Sequence, residues 1–138
     1  MSGSPLATSM IAAAPDTLAP DGSEIRFLPQ LRGGSMVHCR VPVGTTTKAV
    51  RHKTVEELWY VLDGVGEIWR RMDGEEKIDP LVAGTAVTIP LHVHFQFRNT
   101  GTVPLDIVIV TMPPWPSMDE AEPVPDRWTP SPGAPAAT

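Results

Sequence analysis

Residues 92–99 read His92-Val93-His94-Phe95-Gln96-Phe97-Arg98-Asn99, with apolar and polar side chains in alternation. A period of two belongs to a β-strand, where successive side chains point to opposite faces. Val93, Phe95 and Phe97 therefore share one face, and His92, His94, Gln96 and Arg98 share the other. The stretch Val37-His38-Cys39-Arg40-Val41 repeats the pattern, and residues 105–112 form a β-branched run. Gly33-Gly34, Gly44, Gly64, Asp73-Gly74, Gly84 and Gly101 punctuate such runs at short intervals. Short strands with that spacing predict an all-β sandwich or barrel. We expect strands near 24–30, 35–43, 47–54, 57–63, 65–72, 86–90, 92–99 and 104–112, with a polar hairpin turn at 73–77. The one helical possibility is a short turn within 118–122.

Composition narrows the function classes. The chain has 138 residues, 41% of them hydrophobic, which suits a single packed domain. Sixteen acidic against 11 basic residues give a net charge of −5, the wrong sign for a nucleic-acid binder. A lone cysteine, Cys39, excludes an internal disulfide and any cysteine-based zinc motif. No run approaches the ~20 apolar residues of a membrane-spanning helix. The first basic residue is Arg26, so the opening lacks the charged region of a signal peptide. A cytoplasmic protein with no membrane partner is expected. Half of the 16 prolines fall after residue 112, where they disfavour helix and central strand alike. The expected organisation is a flexible arm at 1–20, a domain at 21–116 and a proline-rich acidic tail at 117–138, with PSPGAPAAT at 130–138 frayed.

The polar faces admit two readings. A polar face on an antiparallel strand is commonly the solvent face. Here, however, it carries His, Gln and Arg, and histidines two apart on a strand lie roughly 6.6 Å from each other, within reach of one ion. On that reading His38, His92 and His94 line a metal pocket. The strand at 58–62 is apolar on both faces, with Leu58, Tyr60 and Leu62 opposite Trp59 and Val61. Its outer face needs a cover: the arm, the tail or, as we prefer, a second copy in a C2 homodimer.

The stretches RHKTVEELWYVLDGVGEIWR (51–70) and GTAVTIPLHVHFQFRNTG (84–101) resemble the two motifs of the cupins. The first, G-x5-H-x-H-x3–4-E-x6-G, places its second histidine on His52, its glutamate on Glu57 and its last glycine on Gly64, with Val50 in place of the first histidine. The second, G-x5-P-x-G-x2-H-x3-N, fits Gly84, Pro90 and Asn99 but sets His92 on its glycine and Phe95 on its histidine. The resemblance spans about 35–112 and implies a cupin jelly roll. It also makes His52 a metal ligand and Glu57 a ligand, a general base or a group that orients a histidine. In the unshifted cupin register Phe95 faces inward; a one-residue bulge near 90–92 would turn His92 and His94 inward instead.

The expected site is thus His38, His52, His92 and His94 around one divalent transition metal, zinc foremost, with iron or nickel also suited to imidazoles. Glu57, Gln96 and Arg40 are the candidate catalytic residues, Arg40 for an anionic or enolate substrate. The chain further resembles the small single-domain cupin cyclases of aromatic polyketide assembly. That resemblance implies aldol-type ring closure of a poly-β-keto substrate, free or carrier-bound, with the metal as Lewis acid. An Fe(II) and O₂ dioxygenase and a non-catalytic sugar- or small-molecule-binding cupin are the alternatives.

Overall fold

The computed structural model describes residues 5–131. In chain order the strands are β1 (Thr17–Leu18), β2 (Glu24–Leu31), β3 (Gly34–Val41), β4 (Val50–His52), β5 (Glu56–Asp63), β6 (Val65–Met72), β7 (Glu75–Val82), β8 (Ala86–Ile89), β9 (His94–Asn99), β10 (Leu105–Met112) and β11 (Ala121–Pro123). A 3₁₀ turn at Met118–Glu120 precedes β11, inside the segment where a short helical turn is expected. Two antiparallel sheets result, one ordered β1-β2-β3-β10-β5-β8 (sheet A) and the other β11-β4-β9-β6-β7 (sheet B). This is the all-β sandwich anticipated from the alternation, in the jelly-roll arrangement that the resemblance implies. Among the described residues no helix is long and apolar enough to cross a membrane.

Pairing register decides which face of each strand is inside. Val50 pairs with Phe95 and Ile68 with Phe97, so these four side chains meet between the sheets. From sheet A, Trp59 meets both phenylalanines edge-on, at 5.7 Å from Phe95 and 4.8 Å from Phe97. Burying each ring contributes about 2–3 kcal/mol. Turning β9 over would exchange both rings for histidine and glutamine. The apolar face of β9 therefore goes inward and the unshifted register holds. Gly64, with φ +92, shows why the first motif closes on glycine. A Cβ there would lie 2.5 Å from the Pro104 carbonyl oxygen, and positive φ is strained for other residues.

The structure differs from expectation at both ends and at one strand. Strand β7 was expected only as the end of a turn. Its charges and Pro80 disguise it, and proline is tolerated there because β7 is the free edge of sheet B. The chain beyond 116 is no separate tail, since β11 pairs with β4 and closes the other edge. Asp126 accepts the Ala49 N–H at 2.9 Å, and Ser131 Oγ accepts the Thr46 N–H at 2.7 Å. Nor is the arm wholly separate: β1 pairs with β2, and Arg26 donates to the carbonyls of Ala12 (2.7 Å) and Ala13 (2.9 Å). Residues 1–4 and 132–138 of the expected arm and frayed end lie outside the described residues.

Candidate functional site

Between the sheets, beside the core, lies a cavity of about 440 Å³. Most of its wall is apolar, from Ile25, Val37, Val50, Trp59, Phe95 and Ile109. The segment after β10 closes over it through Trp115 and Met118. Asp21, His52 and Glu57 are the titratable groups deep in its wall, each under a tenth exposed.

Glu57 enters from β5 on the same face as Trp59, two residues on. The Trp59 indole N–H donates to Glu57 Oε1 at 2.9 Å, and the Thr111 hydroxyl donates to Oε2 at 2.7 Å. These bonds fix the carboxyl's direction without neutralising it. Burial pushes its pKa up to about 6, against those two hydrogen bonds. His52 enters from β4 with its ring against the edges of Phe95 (5.2 Å) and Trp115 (5.4 Å). Its Nδ1 is buried and has no hydrogen-bond partner among the described residues. Burial lowers its pKa to about 4, so the ring is neutral at physiological pH. Asp21 lies in the turn before β2 and accepts from the Ser23 N–H (3.0 Å) and hydroxyl (2.6 Å). Burial raises its pKa as well. Sequence reasoning missed Asp21. Its one signal is Asp-Gly-Ser, which reads as an ordinary Asx turn.

Of the seven expected site residues, only His52 and Glu57 reach this cavity. His38 lies on the outer face of sheet A, its Nε2 3.0 Å from Asp106, whose carboxylate also accepts from Arg40 at 2.7 Å. His38 and Arg40 are therefore partners of an outer ionic cluster, and burial lowers the His38 pKa. His92 sits in the turn before β9 at φ 70, exposed, with its ring donating to the Lys53 carbonyl at 3.2 Å. That left-handed φ is why the motif carries glycine there. His94 lies on the outer face of sheet B opposite Arg71, and its pKa falls through burial and the positive charge of Arg51 and Arg71. Gln96, expected to be catalytic, is fully buried on that outer face beneath residues 127–128. The four-histidine site is corrected on three counts: His38 takes the outer face of sheet A, His92 stays in the turn before β9, and period two sends His94 outward when Phe95 and Phe97 go in.

Two of the four cupin ligand positions are filled by Val50 and Phe95, which offer no lone pair, and both are buried in the cavity wall. Among the described residues no three His, Cys, Asp or Glu side chains stand where they could hold one ion. Only His52 and Glu57 keep a donor at the expected ligand positions, and Asp21 does not complete a three-donor group with them, so the set falls short of the four of a tetrahedral site or the three of an open catalytic one. A zinc, iron or nickel ion does not fit these residues. Cys39 offers no substitute, being fully buried on the inner face of β3 with its thiol pKa pushed well up.

The buried pair sets a pH dependence of opposite signs. His52 favours the neutral form in the folded state, so its contribution is complete above pH 6.5 and lost as pH falls towards 4. From the shift to about 4 this amounts to ~3 kcal/mol. Glu57 favours the protonated form, so its contribution is complete below pH 4.5 and lost as pH rises through 6, by ~2 kcal/mol. Urea unfolding at pH 6.5 and 4 should therefore show His52→Gln losing less stability on acidification than the parent, and Glu57→Gln losing more.

A family profile described as the Cupin domain matches residues 37–111. An uncharacterised protein of Methanocaldococcus jannaschii, MJ1618, is 34% identical over 103 residues, spanning 71% of this chain and 79% of that protein. Among solved structures, an oxalate decarboxylase of Bacillus subtilis with Mn(II) centres superposes with a TM-score of 0.61 at 16% identity, over 73% of this chain and 28% of that one. The Drosophila melanogaster protein CENP-C, solved bound to CAL1, superposes with a TM-score of 0.60 at 13% identity, over 66% and 71% of the two chains. At such identities these two show the fold alone, which serves a metalloenzyme in one case and a protein assembly in the other.

Proposed function

Given that this chain belongs to the cupin family, we propose that its barrel binds an apolar carbonyl compound and moves a proton on it with Glu57, without an ion at the usual cupin position. The observation that carries this reading is the pairing of a retained, buried Glu57 of pKa about 6 with apolar Val50 and Phe95 where two metal ligands would stand. A cavity of about 440 Å³ lies in the ordinary range for small-molecule sites.

The chemistry follows from Glu57 and His52. Above pH 6 Glu57 is a carboxylate held in apolar surroundings, a stronger base than an exposed glutamate. A methylene flanked by carbonyls is acidic enough to yield its proton to such a base. The resulting enolate oxygen would take a hydrogen bond from neutral His52. The enolate carbon then attacks a second carbonyl of the same molecule, and the new alkoxide recovers the proton from Glu57. Carbon–carbon bond formation thus balances with no external reactant. This is the aldol closure of a poly-β-keto chain, and the cavity wall would fold the chain. Val50 and Phe95 cannot ligate iron, which disfavours an Fe(II) dioxygenase.

The test is deuterium incorporation at the acidic methylene of an aromatic β-keto ester, followed by NMR in D₂O. Wild-type protein should accelerate exchange over buffer, and Glu57→Gln should cut that acceleration about 100-fold or more. The glutamine is isosteric and keeps the Trp59 hydrogen bond, so the fold should persist. Equal exchange by both proteins would refute the assignment of Glu57. Tight binding of the ester without exchange would mark the chain as a binding cupin.

A further inference from the structure

The cavity wall carries buried carboxyls and no cation to meet them. Among the described residues that line it, Asp16, Asp21 and Glu57 are acidic, no Lys or Arg is present, and His52 is neutral at physiological pH. The side-chain donors beside the two buried carboxyls are already spent on them. The Ser23 hydroxyl donates to Asp21, and the Thr111 hydroxyl and Trp59 indole donate to Glu57. Asp21 keeps capacity in reserve. Both Ser23 bonds fall on Oδ1, and Oδ2 has no hydrogen-bond partner among the described residues, although Asp21 is only 8% exposed and lines the cavity. Burial raises its pKa and the Glu57 charge adds to the rise, as befits a carboxyl without a counter-ion. Trp59, Phe95 and Trp115 form an aromatic wall around the same space. Such a wall receives an apolar body and attracts a cation at a ring face.

We propose that the cavity binds organic ammonium compounds, an apolar body bearing one protonated nitrogen, and that Asp21 Oδ2 receives the nitrogen. An ammonium supplies what the wall lacks, a positive charge with hydrogen-bond donors. An anionic ligand would add like charge where no cation stands to pair it, and is rejected. With the nitrogen held at Asp21, Glu57 stays free for a neighbouring carbon, so the substrate class becomes a carbonyl compound that carries a basic nitrogen. Only that last step rests on the proton-transfer reading.

Calorimetric titration of the full chain with phenethylamine, phenethyl alcohol and phenylacetate tests this, because the probes share one aromatic body and differ in terminal charge. At neutral pH the amine should bind about tenfold tighter than the alcohol or better, from one hydrogen-bonded, buried charge pair, and phenylacetate should not bind. The preference should persist at high salt, which screens the general attraction of a cation to a chain of net charge −5. Asp21→Asn, which can still accept from Ser23, should bring the amine down to the affinity of the alcohol. The wild-type comparison decides the matter even where that variant fails to fold. Equal binding of amine and alcohol, a preference lost at high salt, or one retained by folded Asp21→Asn would overturn the ammonium site. Exchange of the β-keto ester without an amine preference would overturn the ammonium site alone. An amine preference without exchange would support the ammonium site and overturn the proton-transfer reading.

Discussion

Combining Val50→His with Phe95→His is expected to give a protein that retains one divalent transition-metal ion per chain after desalting, where the parent retains none. The two positions are register partners across β4 and β9, both inside the cavity. His52 touches the Phe95 ring, and Glu57 lines the same wall. Three imidazoles and a carboxylate would then converge, a donor set suited to zinc, iron or nickel. The cost is the apolar burial of Phe95, about 3 kcal/mol or more once the smaller ring leaves a void. The metal-free double variant should accordingly melt below the parent, and added zinc should raise its melting temperature through preferential binding to the folded state. Elemental analysis before and after zinc loading checks the count. Failure of the double variant to hold an ion would mean that Phe95 does not occupy the ligand position.

The second large effect concerns Gln96, now a structural residue. Its amide uses every donor and acceptor it has. Nε2 donates to the carbonyls of Thr47 (2.8 Å) and Trp128 (2.7 Å), while Oε1 accepts from the N–H groups of Arg127 (2.9 Å) and Trp128 (2.8 Å). The side chain is fully buried between sheet B and residues 127–128. Gln96→Ala removes four hydrogen bonds and strands their partners, which should cost about 4 kcal/mol. Stacking of Arg98 over the Trp128 ring at 4.1 Å would be loosened with it. Urea denaturation measures the loss, and trypsin should cleave after Arg127 far faster than in the parent. A change below 1 kcal/mol would show that the C-terminal segment is held by other contacts. β-Keto ester exchange per folded molecule should survive this substitution, in contrast to Glu57→Gln.

The fold was legible because alternation and glycine spacing are local signals, and all but the shortest or most charged strands carry them. Strand β7 was not, because Glu75, Glu76, Lys77, Asp79 and Pro80 suit an edge strand and a loop equally well. The site was legible only in part, for a physical reason. An alternating strand shows that two faces differ but does not say which is inside. In β9 that depends on weighing Phe95 and Phe97 against the histidine face, and the apolar mass prevails. His52 and Glu57 were found by motif spacing, which records the unshifted register. Asp21 enters from a turn, where neither period nor spacing marks a residue as buried. The C-terminal segment was underrated because proline was read as a breaker, whereas β11 is an edge strand of three residues whose proline comes last.

We propose proton transfer by the Glu57 carboxylate in this barrel without an ion. It is tested most directly by deuterium exchange into the aromatic β-keto ester, comparing untreated wild-type protein with protein stripped by a strong chelator. Equal rates are expected in both samples, with no gain on adding zinc, iron or nickel. A rate abolished by the chelator and restored by one metal ion per chain would contradict it.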